Sequence, residues 1–209
     1  MTEIRKGLRH ILARPGFYDA FQRGIGAYAW HARVLRHYAA HHLHAAGSIL
    51  DIGCGTGDVV AYLPPDATYH GFDRNAAYIE KARRRFPSNN VTFHCEQFDG
   101  ELRYGERKFD LVLAIGLLHH LDDAEVIALM AGVRHVLAAD GLLLTLDPVR
   151  TRQQSKIARF LVAHDRGKNV RTPEEYLRLA RMAFPSADGV IDNNPMRVPY
   201  TGYILQCRL

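Results

Sequence analysis

The chain has 209 residues, 47% of them hydrophobic and 23% charged, with a formal net charge of +5. That is enough apolar material for one domain with a sizeable core, and it excludes a disordered segment. No apolar run approaches the roughly 18 residues of a membrane span and the start, M-T-E-I-R-K-G-L-R-H, lacks a leader's apolar core, so a cytosolic protein is expected.

The first 46 residues suggest two helices broken near Pro15 and Gly16 and carrying Tyr18, Phe21, Tyr28 and Trp30, a segment expected to act as a lid. His41, His42 and His44 close it without a nearby carboxylate or cysteine, so they are expected at a solvated surface, not on a metal. Runs 48 to 52, 67 to 72, 91 to 95, 109 to 115 and 141 to 146 are short, apolar and bounded by turn formers, which predicts buried parallel strands. Between them, Ile79, Ala82 and Phe86 give one helical face. Val126, Met130, Val133 and Leu137 give another, opened by a capping box of Asp122 and Glu125. Arg83 to Arg85 close the first of these helices, where cations complement the helix dipole; a solvated helix end is expected there, and a nucleic-acid surface is not. Cys54, Cys95 and Cys207 lie in or beside the strands without paired metal-like spacing, so buried free thiols are expected, with no disulfide and no zinc. Residues 150 to 184 read as an insertion of two helices, the second beginning at Thr172, Pro173 and Glu175.

The most informative stretch is S-I-L-D-I-G-C-G-T-G, residues 48 to 57. Gly53, Gly55 and Gly57 describe a tight loop leaving a strand, open to a ligand lying against the main chain. Dinucleotide sites use Gly-x-Gly-x-x-Gly with a phosphate on the next helix, whereas this loop is Gly-x-Gly-x-Gly directly after Asp51. Asp51 suits a cationic group, which a phosphate is not. The next strand ends at Asp73, whose carboxylate suits the two hydroxyls of a ribose. A nucleoside without phosphates satisfies both acids.

These residues, L-D-I-G-C-G-T-G-D, followed in order by G-F-D, F-D-L-V-L-A-I-G-L-L-H-H-L and G-L-L-L-T-L-D-P, resemble the motifs of class I S-adenosylmethionine-dependent methyltransferases, over about three quarters of the chain. The resemblance implies a Rossmann-like three-layer α/β sandwich with a mostly parallel seven-stranded sheet and an antiparallel C-terminal strand. It implies a single methyltransferase domain over residues 1–209: lid 1–46, cofactor core 47–149, insertion 150–184 shaping the substrate pocket, and hairpin 185–209. The cofactor implied is S-adenosylmethionine. Asp51 and the backbone of Gly53, Gly55 and Gly57 would meet its methionine part, Asp73 the ribose, Gln97 and Phe98 the adenine, and the main chain at Ile115 or Gly116 the amino group, with Arg74 packing on the base. Glu96, Gln97 and Phe98 stand where many relatives have Gly-Asp-Ala.

A sulfonium methyl is attacked in line, and a protonated acceptor needs a base, for which histidine is suited near neutral pH. His119 and His120, after the fourth strand, are the candidates, with hydrogen bonding to a loop carbonyl or a carboxylate as their duller role. Arg166, Lys168 and Arg171 offer a clamp for an acidic substrate, or else pair with Asp165, Glu174 or a helix end; Arg171 is the favoured substrate contact, with Tyr200 a second from the tail. The expected activity is methyl transfer to a small molecule with an anionic group among the candidates, on oxygen or nitrogen rather than carbon, by a monomer or homodimer. RNA or protein methylation, a regulatory cofactor-binding role, and cyclisation of the sulfonium are the alternatives.

Overall fold

The computed structural model describes residues 23–42, 47–100, 108–164, 167–193 and 195–209. The strands are β1 (Ser48–Ile52), β2 (Thr68–Phe72), β3 (Val91–His94), β4 (Phe109–Ile115), β5 (Leu137–Pro148), β6 (Ser186–Asn193) and β7 (Thr201–Arg208). They form one sheet in the order β3-β2-β1-β4-β5-β7-β6. β1 to β5 pair in parallel, and β7 runs antiparallel to both β5 and β6. This is the expected Rossmann-like architecture with its antiparallel C-terminal strand.

The helices are α1 (Ala27–His42), α2 (Ala76–Arg85), α3 (Asp123–Val136), α4 (Lys156–Ala163) and α5 (Pro173–Arg181). Central strands are apolar at nearly every position because both faces are covered. Leu50, Val112, Leu143 and Leu205 meet Val126 and Met130 of α3 and Tyr176 and Leu179 of α5. Their neighbours Ile49, Leu111, Leu144 and Ile204 meet Trp30, Val34 and Leu35 of α1 and Ile79 and Ala82 of α2. Burial of each such leucine or isoleucine contributes roughly 1.5–3 kcal/mol, so the two layers fix the register of every strand.

Several expectations are corrected. The fifth strand begins at Leu137, not 141, and passes through a register shift opposite Phe109 and Leu111. Gly141 permits this bulge, because a Cβ there would stand 2.9 Å from the Phe109 carbonyl oxygen. Leu137 is therefore the C-cap of α3 and the first strand residue, still buried. α1 is a constituent of the helical layer, with Trp30, Val34 and Leu35 buried in the core. Tyr18, Phe21 and His44 lie outside the described residues, as do the side chains of His41 and His42. Cys95 is exposed because β3 ends one residue earlier, while Cys54 and Cys207 are buried free thiols. The arginine run is tied down locally: Arg83 donates to the Phe93 carbonyl (2.6 Å), Arg84 pairs with Glu80, and Arg85 with Asp58 (2.7 Å). Among the described residues no helix is long and apolar enough to cross a membrane, and no group of three or more His, Cys, Asp or Glu is placed to hold a metal ion.

The Trp30 indole lies on Gly202 at the start of β7, where a Cβ would be 2.3 Å from its ring. Gly202→Val is expected to lose about 1–3 kcal/mol through overpacking, a fall in Tm of about 2–4 °C per kcal/mol, measured by thermal denaturation.

Candidate functional site

The loop after β1 folds back on the tip of β2. Gly53 and Cys54 both donate their backbone N–H to the Phe72 carbonyl (2.8 and 3.0 Å), and Gly55 donates to Asp73 Oδ2 at 3.0 Å. Gly53, Gly55 and Gly57 all have positive φ, at 77°, 55° and 74°. Their surroundings differ. A Cβ on Gly53 would press on Leu117 at 3.1 Å and one on Gly57 on Phe93 at 2.8 Å, whereas one on Gly55 would meet nothing within 4 Å among the described residues. Gly53 and Gly57 are thus glycines for the fold, and Gly55 borders open space. Gly116, after β4, is similar, with φ 65° and only His119 Cε1 nearby, at 3.8 Å. A ligand lying against main chain has these two positions available.

The far side of the loop is clamped. Arg85 donates to the Thr56 carbonyl (3.0 Å) and hydroxyl (3.2 Å), and pairs with Asp58, whose other oxygen accepts from the Thr56 hydroxyl at 2.6 Å. Sequence reasoning missed this bracket, whose only signal was Thr56 and Asp58 flanking the third glycine.

Asp73 is half-buried, and its Oδ1 accepts from Asn75 N at 2.8 Å. Asn75 caps α2 with its own side chain, so Asp73 braces the glycine loop instead of serving as the helix cap. Each carboxylate oxygen has two lone pairs, which leaves acceptor capacity for ribose hydroxyls. Asp51 is 2% exposed and accepts from the Tyr69 hydroxyl at 2.6 Å. Loss of water pushes its carboxyl up to about 7; the Tyr69 hydrogen bond opposes this, and the charges of Asp73 and Asp58 add to it. Because this pKa lies above the value of 3.8 in the unfolded chain, ionisation of Asp51 costs folded-state stability as pH rises from about 4 to about 7.

After β4, a short 3-10 helix (Leu118–His120) turns His119 into the protein. The ring is 6% exposed, with Nδ1 2.8 Å from Asp147 Oδ1 at the end of β5; the same oxygen accepts His119 N at 3.1 Å. An ionised carboxylate only accepts, so Nδ1 carries the proton and the neutral ring's lone pair is on Nε2. Asp147 Oδ2 is buried with no hydrogen-bond partner among the described residues. His120 is half-buried against His119, their ring centroids 4.2 Å apart. Gly167 lies directly on the His119 ring, where a Cβ would be 2.1 Å from Cδ2, and Asn169 N donates to the His119 carbonyl at 3.0 Å. Asp147 was missed by sequence reasoning, although it ends an apolar strand as Asp51 and Asp73 do.

Arg171 is a correction. It is 5% exposed, and all five of its N–H donors are engaged: Nε and one Nη2 proton on Asp123 Oδ1 (2.9 and 2.8 Å), the rest on the carbonyls of Leu118, Leu121 and Asn169. Its hydrogen bonds, with help from Arg178, hold the Asp123 carboxyl below its usual value. The guanidinium therefore staples the insertion to the His119 turn and is not available as a substrate clamp; among the described residues its carboxylate partner is Asp123. Arg166 lies outside the described residues. Tyr200 is half-buried and immediately precedes Thr201, whose carbonyl accepts from Val149 N at 3.2 Å, which places Tyr200 at the carboxyl edge of β5. Gln97 and Arg74 are exposed, Ile115 is half-buried, and the half-buried Phe98 sits edge-on to Phe72, 5.9 Å between centroids.

Residues 49–141 match the family model described as a methyltransferase domain. The chain is 31% identical over 136 residues to a malonyl-[acyl-carrier protein] O-methyltransferase of Bacillus cytotoxicus, covering 59% of this chain and 46% of that protein. It is 31% identical over 106 residues to a ubiquinone/menaquinone biosynthesis C-methyltransferase of Desulfotalea psychrophila, covering 49% and 42%. The matches thus span about half the length of these curated relatives or less. A solved DhpI–SAH complex superposes with a TM-score of 0.67 at 22% identity, covering 96% of this chain and 94% of that one. The matched core is thus similar to the methyltransferase domains of these relatives, and the superposition on the complex shows a shared fold. Gly55 beside Asp73 and Gly116 beside His119 leave main chain accessible to a ligand.

Asp51→Asn keeps an acceptor for Tyr69 and removes the buried charge. Its Tm without ligand is expected to exceed that of the native protein at pH 8, by about 2–4 °C for each kcal/mol relieved, with a much smaller gain at pH 5, since the penalty accrues only as pH rises from about 4 to about 7. Thermal melts at the two pH values check this; an equal gain at both contradicts it.

Proposed function

We propose that the protein transfers a methyl group from S-adenosylmethionine to oxygen or nitrogen of a small-molecule acceptor, with His119 as the general base. The single observation that carries this reading is the His119–Asp147 pair, 2.8 Å apart, placed beside the open face of Gly116.

Bound S-adenosylmethionine supplies an electrophilic methyl on sulfur, attacked in line by the acceptor. The chain's own part is to orient and to manage one proton. Asp147 fixes the tautomer of His119, so Nε2 takes the proton leaving an acceptor O–H or N–H, and the carboxylate stabilises the imidazolium that forms. Gly167 and the Arg171 staple hold the turn that carries the ring and keep water from its covered face. Asp51 attracts the cofactor's ammonium group, the main chain at Gly55 and at Ile115 or Gly116 lies along its amino acid part, and Asp73 takes the ribose. Gln97, Phe98 and Arg74 border the base. Tyr200 stands on the acceptor side. The proposal includes a cytosolic setting and a monomer or homodimer.

The test is a screen of phenol, carboxylic acid and amine acceptors with S-adenosylmethionine, reading S-adenosylhomocysteine. With the acceptor found, His119→Ala is expected to lower kcat by about 10²–10⁴-fold without a matching loss of S-adenosylhomocysteine affinity. Unchanged turnover removes His119 as the base, and methylthioadenosine as the by-product points to cyclisation.

A further inference from the structure

In the parallel ladder of β1 and β2, Asp51 stands opposite Gly71, and Ile49 opposite Tyr69. Tyr69 and Asp51 therefore share a face but are not direct partners. The phenol reaches the carboxylate only by leaning across Gly71, where a Cβ would lie 2.9 Å from Tyr69 Cε1, 2.9 Å from its hydroxyl and 2.9 Å from Cys54 Sγ. The missing side chain opens a slot in which the carboxylate, the phenol and the thiol meet. The Tyr69 hydroxyl then donates to Asp51 Oδ2 at 2.6 Å, while Cys54 Sγ stands 3.9 Å from the Gly55 carbonyl oxygen.

We propose that Tyr69 is a positioning residue for cofactor binding: its hydroxyl holds one oxygen of Asp51 and keeps the carboxylate ionised and aimed for the ammonium group of the ligand. This rests on the cofactor assignment of the preceding section. A hydrogen bond from a neutral donor to a charged acceptor favours the charged form. Other groups facing Asp51 work against ionisation. Asp73 at the tip of β2 and Asp58 at the start of the 3-10 helix Asp58–Tyr62 are both acidic, and Asp58 is partly offset by its pairing with Arg85 of α2. His31 of α1, near Asp58, is kept neutral by burial, its pKa lowered to about 4, so it adds no compensating cation. Burial pushes the Cys54 thiol and the Tyr69 phenol well up, so both stay protonated. On the β4 side Asp51 pairs with Leu113, which is apolar. Among these neighbours the phenol is the group that donates to the acid.

A ligand that binds through the ionised carboxylate loses affinity as Asp51 takes up a proton, so acidification through neutral pH weakens binding. Without the hydroxyl the same loss begins at higher pH. The experiment is calorimetric titration of the full chain with S-adenosylhomocysteine from pH 6 to 9, for the native protein, Tyr69→Phe, Asp51→Asn and the double variant, with thermal melts alongside. Titrations of the ligand itself are common to all four and cancel in the comparison. Tyr69→Phe is expected to bind about tenfold more weakly at pH 7, to approach native affinity at pH 9, and to shift the onset of the loss upward by about one pH unit, the size expected for a hydrogen bond to a charged group. Asp51→Asn should bind weakly without that pH dependence, and adding Tyr69→Phe should change it little. Should the phenylalanine variant melt too low to titrate, Gly71→Ala, which displaces the phenol but retains it, is expected to shift the onset in the same direction. A Tyr69→Phe profile parallel to the native one, weaker at every pH by one factor, overturns the positioning role and leaves the cofactor assignment standing. Native protein that binds no S-adenosylhomocysteine at any pH sinks the cofactor assignment and the proposal with it.

Discussion

The site depends on one constraint: the glycine loop after β1 is anchored on the tip of β2. The Phe72 carbonyl takes two backbone N–H groups from the loop and the Asp73 carboxylate takes a third, from Gly55. Anchored in this way, the loop presents Gly55 to open space with Asp51 beneath it and Asp73 beside it. The parallel register of β1 and β2 is therefore part of the binding site. A slip of one residue would carry Asp51 to the other face and bring Tyr69 off its line to the acid.

The same strands bury charge at a cost that ordinary packing does not require. Asp51 and Asp147 are both enclosed at the carboxyl ends of apolar strands, and one oxygen of Asp147 has no hydrogen-bond partner among the described residues. Such groups destabilise a fold and persist where binding or catalysis uses them. Around them, cations far from the ligand's place provide support. Arg85 secures the outer side of the glycine loop, and Arg171 ties Leu118, Leu121 and Asn169 to Asp123. Both act on the backbone that carries the reactive groups. Stability and function thus divide between the arginines and the acids.

Much of the fold was legible because parallel strands buried on both faces are near-continuous apolar runs, and the ends of β1 and β4 follow directly from theirs. The glycines and the acids at strand tips were legible too, since their residue types are restricted by conformation and charge. What escaped was decided by register and long-range contact. Leu137 fits a helical face as well as a strand, and only the approach of Gly141 to Phe109 settles it. Arg171 looked like a free clamp because its partners lie some fifty residues earlier in the chain. The pairing of His119 with Asp147 requires β4 beside β5, and the Tyr69 hydroxyl reads as core until Gly71 is seen opposite Asp51. Within the segment 1–46 expected to act as a lid, α1 is a packed layer, because Trp30, Val34 and Leu35 bury against the sheet.

The central claim is that the adenosyl cofactor is received by the loop of β1 and the acids at the neighbouring strand tips. A crystal structure of the full chain with S-adenosylhomocysteine tests it most directly. The account expects the ligand's amino acid portion along Gly55 and Gly116, its ribose hydroxyls on Asp73, and its sulfur on the side of the crevice that His119 borders. Electron density for the ligand elsewhere on the molecule, or the same crevice taken by a dinucleotide with its phosphates on the glycine loop, would contradict it.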